Sequence, residues 1–274
     1  MWIKKKEVEE LSELVKGFIS GDEVDIRDNK EGAFSILKND IYAFVNTKNE
    51  QLKTAEAQRD ILAEYMADIS HQLKTPITSM MIMTDLLEDA DPEKRSEFVH
   101  NIKYSLGKME WLVGALLKMA KIDAKAITFS KREVKASELV EAMKHSVDIL
   151  LDINNQSLQL ANDFVISCDK RWTVEALTNI VKNAIEHSPK DSEIVIDSGD
   201  NPMYQWISVM DSGAGMDRSS YAALFKRFKY STNENGYGIG MPLALSIIKG
   251  QGGDIDIAFG GKGQGATFII KFFK

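Results

Sequence analysis

A single cysteine, Cys168, stands in a chain of 274 residues, so no internal disulfide can form, and a reducing cytoplasm is the simple reading. With that one cysteine and four scattered histidines, no zinc-type cluster is available. Positive charge is in deficit: 34 Lys and Arg face 41 Asp and Glu, a net charge of −7. No basic stripe exists for a phosphate backbone, so a nucleic-acid partner is not expected. No apolar run is long enough to span a bilayer, and there is no signal peptide. The opening Met1-Trp2-Ile3-Lys4-Lys5-Lys6 is what the cytoplasmic edge of a membrane segment looks like, or else an ordinary charged terminus.

What is present divides into two regions, and the length allows each its own core. The N-terminal region is helical. Residues 7–18 are amphipathic (Val8, Leu11, Leu14, Val15, Phe18), and a polar connector follows from Gly21. A second helical pattern starts near Gly32 and runs without glycine or proline up to Thr75. Leu62, Met66, Ile69, Leu73, Ile77, Met80, Met83 and Leu87 recur at threes and fours, one face of a helix. Asp91-Pro92 breaks that pattern, and another stripe follows: Phe98, Ile102, Leu106, Met109, Leu112, Leu116 and Met119. Two amphipathic helices joined by a short acidic turn form a helical hairpin. One hairpin has too little core alone, whereas two, from two chains, make a four-helix bundle, so a homodimer is expected.

From about Ile127 the pattern becomes α/β. Ile127–Val134 reads as a strand, Ser137 as the cap of a helix, and Asp169 as the cap of another that ends at Ser188-Pro189. Ile194–Asp197 and Trp206–Met210 read as strands about a Gly-Asp-Asn-Pro turn. Alternation at Ile255 and Ile257, and again from Ala266 to Phe272, completes the strands, while the Gly- and Ser-rich stretch from Ser212 to Gly240 reads as a functional loop.

In the helical region a histidine stands apart. His71 lies two positions from both Ile69 and Leu73, so at about 100° per residue it points away from the apolar seam into solvent. Pro76 has no N–H for the Gln72 carbonyl, and a kink is expected beside His71. This is either an exposed imidazole able to meet two partners in turn or a surface histidine near a proline.

Three constellations in the C-terminal region carry chemistry. Asn179 and Asn183, four apart, share a helix face and can offer amide oxygens to Mg²⁺ or bond a phosphate, although such pairs also simply face solvent. Asp211-Ser212-Gly213-Ala214-Gly215 follows a strand directly: a carboxylate there can accept from an amino group such as adenine's, or merely turn the chain. Gly236-Tyr237-Gly238-Ile239-Gly240 opens a helix whose early Pro242 suits its first turn, an arrangement that favours phosphate. A dinucleotide fold would want a strand immediately before these glycines, and a P-loop would want Lys-Ser/Thr after them.

Taken together and in order, these stretches resemble the boxes of sensor histidine kinases. Ile69-Ser70-His71-Gln72-Leu73-Lys74-Thr75-Pro76 is similar to their H box. Asn179…Asn183, Asp211…Gly215, Phe225…Phe228, Gly236…Gly240 and Gly263-x-Gly265-x-x-Phe268 are similar to the N, G1, F, G2 and G3 boxes. Residues 1–47 resemble, more weakly, a juxtamembrane segment of the HAMP type. The resemblance implies an α+β fold: an antiparallel helical hairpin (48–124) forming a dimeric four-helix bundle, followed by an α/β sandwich ATP-binding domain (125–274) of the Bergerat type. It implies that His71 becomes phosphorylated from ATP and passes the group to an aspartate of a response regulator receiver domain. Asp211 would bind the adenine amino group, with Gly213 and Gly215 beside it. Asn183 would hold Mg²⁺, with Asn179 and Lys182 near the phosphates. Gly236, Gly238 and Gly240 would let a lid close, Phe225 and Phe228 would pack it, and Thr267 would complete the nucleotide site. A plasma-membrane anchor would come only through a segment N-terminal to this chain.

Two positions depart from the family. Gln72 stands where a carboxylate commonly serves as general base, and Glu186 stands where a basic residue is frequent; Lys182 or Lys229 is the candidate replacement charge. Thr75, one turn after His71, occupies the place associated with regulator dephosphorylation. The departures motivate a second reading, a pseudokinase scaffold that binds nucleotide and partner, against which the intact Asn183, Asp211 and glycines stand. A third, another ATPase of the same fold, is disfavoured by the His71 hairpin.

Overall fold

The computed structural model describes residues 5–20, 33–215, 221, 223–228, 238–259 and 265–274. They fall into two compact units, Met1–Ser70 and His71–Lys274. Among the described residues no helix is long and apolar enough to cross a membrane.

The first unit holds α1 (Lys5–Ser20) and most of α2 (Ala33–Leu86). The absence of glycine and proline from Ala33 to Thr75 explains the long run of α2. Its Thr47, Thr54 and Ser70 hydroxyls donate back to the carbonyls of Ala43, Glu50 and Met66 within the helix. Ile36, Phe44, Leu52 and Leu62 along it are exposed.

The second unit begins inside α2. The helix continues through Pro76 to Leu86. After a tight acidic turn, α3 (Pro92–Asp123) starts as the sequence predicts: Asp91 Oδ1 accepts from Lys94 N at 2.9 Å, and Pro92 fills the first turn, where no N–H is needed. Its apolar stripe divides. Leu106 remains exposed, whereas Leu112, Ala115, Met119 and Ile122 are buried in the core of this unit. The last turns of α3 pack on the helix Gly240–Gly250 (α7), where Gly250 leaves room for Phe129 and Ile122: a Cβ there would meet Phe129 Cε2 at 2.7 Å.

Five strands form the main sheet, in the order β2-β4-β5-β7-β6: β2 (Ser157–Leu160), β4 (Glu193–Asp200), β5 (Tyr204–Met210), β7 (Ala266–Phe273) and β6 (Gly253–Phe259). Only the β2–β4 pair is parallel. On β7 the alternation is clean: Ala266, Phe268, Ile270 and Phe272 are buried, and the residues between them are not. Helices α4 (Ala136–Lys144), α6 (Lys170–His187) and α7 cover that buried face through Leu139, Leu177, Ile180, Leu243 and Ile247. A separate antiparallel pair, β1 (Arg132–Lys135) and β3 (Val165–Cys168), lies beside the sheet, where Ser167 N donates to Gln205 Oε1.

Three expectations change. The strand read over Ile127–Val134 is confined to Arg132–Lys135. Upstream, Phe129 stacks edge-on to Trp172 at 5.8 Å and Ser130 N donates to Asp169 Oδ2, so side chains rather than a ladder hold this stretch. Ser137 does not cap α4. Lys135 takes the cap position with no side-chain bond, and the Ser137 N–H and hydroxyl both donate to Asp163, each at 2.8 Å. The short α5 (Asp148–Asn154), β2 and β3 lie where no element was read. Asp169 does cap α6, accepting from Trp172 N, and the helix ends at His187 with Ser188 as its C-cap.

Candidate functional site

The site is assembled where β5, α6, α7 and β7 meet. Asp211 leaves the end of β5 and is 5 % exposed. Its Oδ1 accepts from Gly213 N at 2.9 Å and Ala266 N at 3.1 Å, while its own N–H donates to the Ala266 carbonyl. Two N–H groups on one oxygen fix the carboxylate plane. Oδ2 makes no hydrogen bond with a described residue, so it is the atom available to an amino group. Two glycines make this packing possible. A Cβ on Gly265, at φ 72°, would stand 1.9 Å from the Asp211 carbonyl oxygen, and one on Gly213 would stand 2.6 Å from the His187 carbonyl oxygen.

Asn179, Lys182 and Asn183 are half-buried on α6, the helix whose other face (Ala176, Leu177, Ile180, Ala184) is in the core. Asn179 Nδ2 donates to the Glu175 carbonyl at 2.9 Å, which leaves Oδ1 directed at Gly240; a Cβ on that glycine would lie 3.0 Å from it. So the N-terminus of α7 presses on the asparagine face. Ile239, at its cap position, provides no side-chain bond, so among the described residues the N–H groups of Gly240 and Met241 are not capped by a side chain and suit an anion. Gly238 is left-handed at φ 64°, and its carbonyl accepts from Phe228 N at 3.2 Å, which ties the segment before the loop to the glycines. Upstream, Phe225 meets the Tyr221 ring edge-on at 5.3 Å, Tyr221 Oη donates to the Ile255 carbonyl, and Arg227 pairs with Asp123 of α3 at 2.6 Å. Burial pushes the Tyr221 hydroxyl above its ordinary pKa, with the Asp256 and Asp254 charges adding to the effect.

His71 is exposed on α2, and Thr75 Oγ1 donates to its carbonyl at a long 3.4 Å. Gln72 is half-buried beside it, and Leu73 packs against the core of the second unit.

The structure thus brings Asp211, Gly213 and Gly265 together, and Asn179 together with Gly240. Gly215 follows them at φ 75°, and Glu186 is exposed one turn beyond Lys182 on α6. Thr267 does not join them: on β7 it pairs with Met210 of β5, and its neighbours Ala266 and Phe268 are the ones turned toward the helices. Gly236, Lys229 and Gly263 lie outside the described residues. Two contributors went unread in the sequence, the Ala266 N–H and Ser188, whose hydroxyl accepts from Ser212 N at 3.1 Å. A main-chain donor leaves no mark on residue type, and a serine after a helix reads only as a cap.

The donor set suits a nucleotide: a carboxylate for a base, glycines for close approach, and open N–H groups with neutral amides for phosphates. Among the described residues no group of three His, Cys, Asp or Glu could hold a metal.

Residues 168–274 match the family described as histidine kinase-, DNA gyrase B- and HSP90-like ATPase, and residues 61–125 match the His Kinase A (phospho-acceptor) domain. The chain is 30 % identical over 231 residues to sporulation kinase C of Bacillus subtilis, covering 81 % of this chain and 51 % of that one. It is 26 % identical to sensor histidine kinase WalK of the same organism, over 85 % of this chain and 39 % of the relative. It therefore spans about half or less of the length of these relatives. In fold it is similar to histidine kinase ThkA, solved in complex with response regulator protein TrrA (TM-score 0.65, 23 % identity, 83 % of this chain and 66 % of that one). It is also similar to the Acinetobacter baumannii histidine kinase AdeS (TM-score 0.61, 21 % identity, 74 % and 97 %).

Proposed function

From a chain that belongs to the two-component sensor histidine kinases, we infer an ATP-dependent kinase that phosphorylates its own His71 and hands the phosphoryl group to an aspartate of a response regulator. One observation carries the reading: the Asp211 carboxylate, buried at a strand end and fixed through Oδ1 by two main-chain N–H groups, with Oδ2 available to the adenine amino group. The matched phospho-acceptor domain includes an exposed histidine on the same chain.

In this reading Asn179, Asn183 and the α7 N-terminus bind the phosphates, and Asn183 would hold Mg²⁺. A bound magnesium ion would neutralise phosphate charge. His71 attacks the γ-phosphorus through a ring nitrogen. An N–P bond forms, the bond from that phosphorus to the β,γ-bridging oxygen breaks, and ADP leaves. Most of the rate enhancement then comes from positioning and charge neutralisation. Gln72 cannot accept a proton, so its amide orients the imidazole instead. In the second step the N–P bond breaks and an acyl phosphate forms on the regulator. Thr75, one turn along the same helix, orients water for the reverse duty, hydrolysis of that acyl phosphate.

The active species in this reading is a homodimer. Ile77 and Met81, one turn apart on α2, with Val99 and Leu106 on α3, expose the apolar surface that a second hairpin would cover. Residues 1–47 would act as the signalling segment, 48–124 as the dimerising phospho-acceptor and 125–274 as the catalytic domain.

Incubation with γ-labelled Mg-ATP tests the whole. Acid-labile, base-stable label on the wild-type chain and none on His71→Gln is the expected result. Nucleotide binding without label would make the protein a scaffold.

A further inference from the structure

Behind the nucleotide site, the connection from α6 to β4 is held by three consecutive residues at the end of α5. The Asn154 carbonyl accepts from Asp191 N at 3.1 Å. Asn155, left-handed at φ 51°, donates through Nδ2 to Asp191 Oδ1. Gln156 makes the deepest contact. Its residue is 8 % exposed, and its Nε2 lies 2.9 Å from the Pro189 carbonyl oxygen and 3.2 Å from those of Ile185 and Ser188. The Ile185 carbonyl is one of those that the end of a helix leaves without an intrahelical partner, and the other two begin the connection. Oε1 has no partner among the described residues. Turning the amide round would set an acceptor against three carbonyl oxygens, so the chain accepts one unpaired oxygen to satisfy the others.

The same connection also touches the base end of the site. Ser188 Oγ accepts from Ser212 N at 3.1 Å, Ser212 Oγ donates to the Glu193 carbonyl at 2.9 Å, and the His187 carbonyl fits against Gly213. Asp211 and its two N–H partners are thus aligned from one side by β7 and from the other by a connection that Gln156 clamps.

We propose that Gln156 is a positioning residue that sets base discrimination at the nucleotide site. It touches no nucleotide. It fixes the carbonyls of Ile185, Ser188 and Pro189, which places Ser188 under Ser212 and so aims the Asp211 carboxylate at the 6-amino group of a purine. This rests on the reading of Asp211 as the base-binding carboxylate.

The test compares Mg-ATP with the magnesium complex of purine riboside 5′-triphosphate, which lacks the 6-amino group, each displacing trinitrophenyl-ATP from the full chain. The wild type prefers ATP. Gln156→Met, similar in shape but without the amide, lowers that preference about three- to tenfold, mainly by weakening ATP, as expected for a misaligned hydrogen bond. Ser188→Ala removes one hydroxyl from a half-buried position, leaves the Gln156 contacts intact, and shifts the preference in the same direction; it serves as the readout if the methionine variant unfolds. Wild-type preference in a folded Gln156→Met, or in Ser188→Ala where the methionine variant unfolds, or equal weakening of the two nucleotides, overturns the proposal. A wild type that does not distinguish the two nucleotides overturns the Asp211 reading itself, and that outcome is visible before any variant is made.

Discussion

Residue by residue, the site is held by main chain as much as by side chains. Gly265→Ala must place a methyl 1.9 Å from the Asp211 carbonyl oxygen in a left-handed backbone, so nucleotide affinity should fall by at least tenfold in a displacement assay, with a lowered unfolding midpoint. Gln72→Glu would supply the carboxylate that this chain lacks next to His71. The initial rate of His71 labelling should rise, and a drop would show that the amide does more than orient the ring. Thr75→Ala should abolish dephosphorylation of a phosphorylated regulator while His71 labelling stays within about twofold; equal loss of both would remove Thr75 from the phosphatase role. Asp211, Asn179, Gly213 and Gly240 could be singled out in the sequence because their chemistry lies in residue type. The sequence could not show that Ala266 N–H holds the carboxylate. The pleat alone turns Thr267 to the other face, and nothing in the spacing of Gly263, Gly265 and Phe268 states which of the intervening residues faces in.

Elements with strong end signals were the readable ones. Asp91-Pro92 and Asp169 start α3 and α6 as read, and Asp91→Ala should cost about 1 kcal/mol in urea unfolding. Strands β2 and β3, of four residues each, are too short for alternation to separate them from loop, and α5 starts without a side-chain cap. Ser137 misled because its partner lies far off in sequence: Asp163 reaches across to serve the start of α4. The Ser137 N–H, and next its hydroxyl, hold the Asp163 carboxyl below the ordinary carboxylate range. A depressed folded-state pKa means stabilisation that is present above the unfolded value and lost as pH falls through the folded one. Asp163→Ala should therefore lower the midpoint at neutral pH, and the gap to wild type should close as the pH drops below about 4.

At the scale of the molecule, the exposed stripes of α2 and α3 predict assembly. Sedimentation should give twice the monomer mass, and Ile77→Glu with Leu106→Glu should give monomers that still bind nucleotide. The burial of Leu112, Ala115, Met119 and Ile122 against the nucleotide-binding region was not legible, because one amphipathic stripe can serve two partners and its spacing is the same for both. The half-buried Lys118–Glu175 pair joins α3 to α6 at 2.5 Å, and a double-mutant cycle should give a coupling of about 0.5–1 kcal/mol that weakens in salt. The packing of Gly213 and Gly265 around Asp211 also bears on resistance to inhibitors. A compound that takes its bonds from the Asp211 carboxylate and the surrounding main chain leaves few single substitutions by which the protein could escape it, since most changes at those positions would damage nucleotide binding as well.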